Sequence, residues 1–354
     1  MTNFMSELDG TITGLHHITL VTSNQEVNHR FYTQILGLRR VKLSVNQDDV
    51  YHRHLFYADE KGTTGSAITF FEWPDLPKGT IGLGSPHHLS YTLPNLEALP
   101  KWQTWLASNR VPVSGPYIRD SRVSLYLHDP DGVLVEISYP NKEEISEQYI
   151  REMSRNAPQV DSVTVDMKLA SFNHASPVTS EPELMKRYFD KVLSLQSSFT
   201  HPNPDQEGTS ILGIGNDERP DFLRYIAYPK AADGFVGHGS IHHIAMAVNS
   251  DEDQVAVMRR LSALGIKHSG IIDRFWFKSL YFRDLEGNLL EVATKGPGYS
   301  VDEPMDQLGT KLVLPAWLEP ERNKIEAHLA EMDRKNHGSW PATYSPLSTP
   351  PESV

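Results

Sequence analysis

The feature that most constrains this chain is an internal repeat. The stretch LHDPDGVLVEIS, from Leu127, aligns with FRDLEGNLLEVAT, from Phe282; each places an Asp before a turn glycine and a Glu inside the following β-rich run. Glu136 and Glu291 are 155 residues apart, as are His88 and His243, Tyr126 and Tyr281, and Arg119 and Arg274. His17 and His174 are 157 apart, as one short insertion would produce. Four residue types recurring at one offset in matching contexts mark a duplicated unit, and self-similarity at a fixed period outranks any element-by-element reading.

Each half divides again. GLHHITLVT, SPHHLSYTL and SIHHIAMAV open strand-like runs on His16-His17, His87-His88 and His242-His243, and LASFNHASPVT opens a fourth on His174. After each comes a helical pattern (Asn24–Leu36, Asn95–Ser108, Glu181–Leu195 and Asp251–Leu264), with capping residues before it and a glycine or polar break after it. Short β-rich segments follow, such as Arg39–Val45, Tyr51–Tyr57 and Ala67–Trp73 in the first unit, and Val123–His128 and Leu134–Tyr139 in the second. The expected fold is therefore α+β: four strand–helix–strands modules, two in residues 12–145 and two in 164–298. A linker spans 146–163. The segment 299–354 is expected to carry a helix to about Met332 and then a poorly ordered Pro/Ser-rich tail.

Composition decides which chemistry these modules can carry. The 354 residues contain 16 His and no Cys. Any metal must then sit on His, Asp or Glu, and a thiol nucleophile is excluded. A net charge of −12 argues against nucleic acid as a partner. No apolar run approaches the ~20 residues of a membrane span, and MTNFMSELDG lacks the basic and apolar regions of a secretory signal. The expected location is the cytoplasm.

Two histidines and a carboxylate with open positions make the facial triad of non-haem iron oxygenases. Alternate strand residues share a face, so one His of each pair points into a site. The lone His174, preceded by Asn173, selects the second: His17, His88, His174 and His243. His243 and Glu291 belong to one module and need a third ligand, from His17 or His174; His88 and Glu136 have the same need. In the functional reading Arg274 counters an anionic oxygen and Tyr281 donates a hydrogen bond or proton.

At these residues the chain resembles the vicinal oxygen chelate superfamily (glyoxalase, bleomycin-resistance and extradiol dioxygenase proteins), built from βαβββ modules. It is most similar to the ring-cleaving hydroquinone dioxygenases within it. The opening GLHHITLVTSNQEVNHRFYTQILGL and the closing LPAWLEPERNKIEAHL are the more specific stretches. The resemblance implies two tandem domains of this fold, Fe(II) (or Mn(II)) on His17, His243 and Glu291, and His16, Thr19, His242, Arg274 and Tyr281 around a small aromatic diol, with O2 as co-substrate. A homo-oligomer is compatible with it. One departure stands out: His88, Glu136 and His174 all survive, so pairing of the second and third modules would create a second triad. The competing expectations are a glyoxalase-type isomerase or lyase, which wants two carboxylates per metal, and a metal-free module that binds or sequesters a small aromatic.

Overall fold

The computed structural model describes residues 11–119, 122–140, 145–348 and 350–354. The opening MTNFMSELDG, and the first residues expected to lead into the linker, lie outside them. Seventeen strands form two curled sheets among the described residues.

In the first sheet β1 (Ile12–Thr22), β2 (Arg39–Asn46), β3 (Asp49–Ala58) and β4 (Ala67–Glu72) join β14 (Ser240–Val248), β15 (His268–Asp273), β16 (Lys278–Arg283) and β17 (Leu289–Thr294). Its order is β15-β16-β17-β14-β1-β4-β3-β2. The second sheet joins β5 (His88–Thr92), β6 (Val113–Arg119), β7 (Arg122–His128) and β8 (Leu134–Pro140) to β9 (Ser171–Ser176), β11 (Gln196–Pro202), β12 (Ser210–Gly215) and β13 (Leu223–Ala227). Here the order is β11-β12-β13-β9-β5-β8-β7-β6, with the short β10 (Val178–Thr179) beside β13. Modules one and four thus share one sheet, and modules two and three the other. Each half of the sequence contributes one module to each sheet.

The module helices are α1 (Gln25–Arg30), α2 (Ala98–Ser108), α4 (Pro182–Leu193) and α5 (Asp251–Ala263). The Asn24 side chain caps α1 by accepting from the Glu26 and Val27 amides, and Ser250 caps α5 from Asp253. After Arg30 the backbone widens into a π-helical turn, Phe31–Ile35, where the sequence pattern implied continuous α-helix. Helix α3 (Glu147–Arg155) lies in the linker and α6 (Arg322–Lys335) follows the second half. Apolar side chains of both sheets, of the Phe31–Ile35 π-helical turn and of α2, α4 and α5 share one continuous core.

The repeated D-x-x-G turns tie the sheets together. Asp129 Oδ1 accepts the Asp131, Gly132 and Val133 amides, and Asp284 Oδ1 accepts those of Glu286 and Asn288. Gly132 and Gly287 have φ of 100° and 87°, which disfavour a side chain. Asp129 Oδ2 also takes the hydroxyl of Tyr32, in the first module's π-helical turn, at 3.0 Å, and Asp284 Oδ2 takes that of Tyr225 on β13 at 2.7 Å. Likewise Asp131 accepts from Thr22 and Ser23, and Glu286 from Thr179 and Ser180.

The terminal stretch, expected to be poorly ordered, returns to the second sheet. Pro351 and Glu352 are buried there. A buried carboxylate that finds cationic and hydroxyl partners anchors a segment whose composition alone argues for disorder. No described helix is long and apolar enough to cross a membrane.

Candidate metal centre and its cavity

Strand register builds the site. Across the first sheet His17 on β1 pairs with Ala245 on β14, Ala245 with Glu291 on β17, and Glu291 with Tyr281 on β16. Directly paired residues project from the same face, so these four form a row, joined by His243 two residues before Ala245. The small Ala245 leaves space over the middle of the row. His17 Nε2, His243 Nε2 and Glu291 Oε2 converge there, at 3.3 Å between the imidazoles and 3.4 and 3.0 Å from each to the carboxylate. All three residues are buried.

The hydrogen bonds behind the triad fix which atoms face inward. His16 Nε2 lies 3.1 Å from the Thr294 carbonyl and therefore carries the proton it donates. His16 Nδ1 then accepts from His17 Nδ1 at 2.8 Å, which leaves His17 Nε2 a bare lone pair. Burial and the neighbouring His17 push the His16 imidazole down to about 3, consistent with this neutral relay. Ser279 donates to Glu291 Oε1 at 2.6 Å, and Glu291 Oε2 has no hydrogen bond. Burial alone would raise the Glu291 carboxyl, but the facing His17 and His243 rings outweigh it and hold the carboxyl well below its ordinary range. An orphaned carboxylate oxygen beside converging imidazole nitrogens fits a divalent cation, and the donor set is that of a two-His-one-carboxylate centre.

Above the triad opens a cavity of about 470 Å³. Phe56, Phe71, Trp73, Trp276 and Phe277 give it flat apolar walls, and His54, His242, Arg274 and Tyr281 supply its polar points. Arg274 donates to both Asp48 carboxylate oxygens at 3.0 and 2.7 Å, and its guanidinium lies 5.4 Å from the Tyr281 ring centre. That pairing outweighs the cost of burial, so Arg274 stays charged. Burial raises the Tyr281 phenol and keeps it protonated. Burial and the neighbouring His243 push His242 down to about 3; burial likewise keeps His54 neutral.

The structure brings His17, His243, His242, Arg274 and Tyr281 to one cavity, with Glu291 buried against the two ligand-facing imidazoles beneath it. His16 and Thr19 are not on its wall. His16 stands behind His17, and Thr19 bonds Thr69 Oγ1 at 2.7 Å, which in turn meets His54 Nε2 at 2.9 Å. His54, Asp48, Trp276, Phe277 and Ser279 escaped the sequence reading. Period-two alternation from Tyr281 would have reached Ser279 and Phe277. Nothing local marks Asp48, whose partner is 226 residues away.

The second triad repeats the row. His174 on β9 pairs with Ser90 on β5, Ser90 with Glu136 on β8, and Glu136 with Tyr126 on β7. His174 Nε2 is 3.2 Å from Glu136 Oε2 and 3.4 Å from His88 Nε2. Arg119, the repeat counterpart of Arg274, donates to Asp205 at 2.8 Å.

Residues 14–137 and 171–292 match the Glyoxalase/Bleomycin resistance protein/Dioxygenase superfamily. A candidate ring-cleaving dioxygenase of Bacillus subtilis (strain 168), MhqA, is 32% identical over 323 residues, 90% of this chain and 98% of that protein. The chlorohydroquinone/hydroquinone 1,2-dioxygenase of Sphingobium indicum is 26% identical over 340 residues, 91% of this chain and 97% of its own. A crystal structure of a candidate dioxygenase from Bacillus subtilis superposes with a TM-score of 0.77 at 29% identity, covering 90% of this chain and 97% of the other.

Proposed function

The chain belongs to the Glyoxalase/Bleomycin resistance protein/Dioxygenase superfamily, and from that premise we propose that it is an Fe(II)-dependent, extradiol-type dioxygenase that opens the ring of a hydroquinone, with O2 as co-substrate. The observation that carries this reading is the convergence of His17, His243 and Glu291, with both histidines lining an apolar cavity large enough for a substituted single ring. The hydroquinone dioxygenase among the relatives supports the substrate class.

Fe(II) held by these three residues would supply the one-electron chemistry toward O2 that no side chain provides. The chain does the rest. Phe71, Trp73 and Trp276 hold a flat ring and exclude water, which strengthens every charge interaction inside. Arg274, held by Asp48, faces the oxygen that gains negative charge. Tyr281, kept protonated by burial, donates to that oxygen. His54, neutral and steered by Thr69 and Thr19, takes the proton of a ring hydroxyl. Thr19 and His16 are positioning residues, acting through His54 and His17.

The test is O2 uptake by anaerobically Fe(II)-loaded protein with a panel of hydroquinones and catechols. Stoichiometric O2 consumption with ring-opened product, lost in Glu291→Gln together with one bound metal, is the expected result. Turnover of a glutathione hemithioacetal without O2 would replace this reading with the isomerase one. Ligand binding that survives chelation, with no product, would replace it with a binding module.

A further inference from the structure

We propose that His88, Glu136 and His174 form a second divalent-cation site, and that the chain's own C-terminus, Pro350–Val354, completes it and seals it against substrate. The lone pairs are arranged for a cation. Asn173 Oδ1 lies 2.7 Å from His174 Nδ1, so that nitrogen carries the proton and His174 Nε2 is bare. His87 Nε2 donates to the Ser353 carbonyl at 3.1 Å, so His87 Nδ1 accepts from His88 Nδ1 at 2.8 Å and leaves His88 Nε2 bare as well. The C-terminus thus fixes a histidine tautomer, as the Thr294 carbonyl does in the first sheet. Glu136 Oε2, buried and without a hydrogen bond, faces both nitrogens at 3.2 and 3.8 Å. Three acceptors in van der Waals contact repel one another unless positive charge lies between them. Among the described residues, Ser176 Oγ is the one hydroxyl at these atoms, 3.2 Å from His88 Nε2, and it reaches only that ring.

Arg122 does not fill the place of a cation. Its Nε donates to Glu136 Oε1, the oxygen turned away from the imidazoles, at 2.7 Å. Its Nη2 and the Tyr126 hydroxyl both reach Glu352 Oε1, at 3.0 and 2.5 Å. One guanidinium therefore bridges the carboxylates of Glu136 and Glu352. Glu352 is the seal. Tyr126 is the counterpart of Tyr281, which lines the open cavity of the first sheet, so the Glu352 carboxylate stands where a ligand would meet that phenol. The segment is fastened to the loop that follows β11: Glu352 N donates to Asp205, Asn203 Nδ2 to the Glu352 carbonyl, and Val354 N to Gln206 Oε1, at 2.9, 2.9 and 2.8 Å.

The test counts metal. The full chain, stripped and reloaded anaerobically with Fe(II), and in parallel with Mn(II), is expected to retain two equivalents after desalting. Glu136→Gln and, independently, His174→Gln each remove one equivalent while the folded spectrum persists. Glu291→Gln removes the other. Deleting residues 350–354, or Glu352→Gln, speeds release of the Glu136-dependent equivalent to a chelator by about tenfold or more. A metal content that Glu136→Gln and His174→Gln both leave unchanged overturns the second site, whatever Glu291→Gln does. Release unchanged by the deletion overturns the seal.

Discussion

In the first sheet Phe277 packs its ring 5.2 Å from that of His17. In the second, the position 155 residues earlier is Arg122, whose guanidinium holds Glu136. Around this one exchange the two triads diverge. Ser279 is left to orient Glu291 Oε1 in the first sheet, whereas its counterpart Ser124 is buried without a partner because Arg122 has taken the equivalent oxygen. His54, on the cavity wall, is matched by register with Ile211, since His54 pairs with Phe71 and Ile211 with Ile226. The first triad opens on a cavity; the second lies under Glu352. Duplication preserved the row of strand residues that makes a metal-shaped vertex. Access was decided by residues beside that row, which are free to change without disturbing the sheet.

Four substitutions, two of them set against their counterparts in the second sheet, would break or sharpen this contrast. The largest effect is expected for Glu291→Gln, which removes the only carboxylate of the open triad. Ring-cleaving turnover should fall to background, whereas Glu136→Gln should keep most of it; comparable losses in both would erase the functional difference between the sheets. Next is Phe277→Arg, which places the second sheet's cation against the first triad. An extra unit charge about 4 Å from a divalent metal opposes it by up to ~8 kcal/mol at an effective dielectric near 20, so metal affinity should drop about 100-fold or more. Equilibrium titration with Mn(II) reads this. Ser279→Ala frees Glu291 Oε1 and should weaken metal binding by about 10- to 100-fold, the usual range for a partner that orients a ligand. Ser124→Ala, measured alongside, should change nothing, because that hydroxyl holds no carboxylate. The smallest change belongs to Asp48→Asn. The Asp48 side chain is 69% exposed, so losing the pair costs less than ~1 kcal/mol. A rise in KM of a few-fold with kcat nearly unchanged is expected from a less well held Arg274.

The module plan was legible because its signals are local. His17, His243 and Glu291 sit on strands whose alternation already chose one histidine of each pair, and the helices begin at the Asn24 and Ser250 caps. The offsets between Glu136 and Glu291, and between His88 and His243, exposed the second triad before any coordinates did. Missing from that reading were contacts whose partners lie far along the chain. Arg274 finds Asp48, His54 reaches the cavity through Thr69, and Glu352 finds Arg122 and Tyr126. Arg119, matched to Arg274 by the repeat, turns instead to Asp205.

By itself, then, the sequence determined the four modules, the row positions of the candidate ligands, and the absence of any cysteine that could replace them. These follow from period-two alternation, capping and self-similarity, each readable within a few residues or at one offset. Only the tertiary structure decided that β1 lies against β14 and β5 against β9, so that each triad draws on both halves of the chain. It also decided that one triad faces a cavity while the other lies beneath the C-terminus. The physical reason is that sheet pairing and tail docking are settled by burial and charge satisfaction among groups hundreds of residues apart, and a local pattern carries no record of which distant partner will satisfy it.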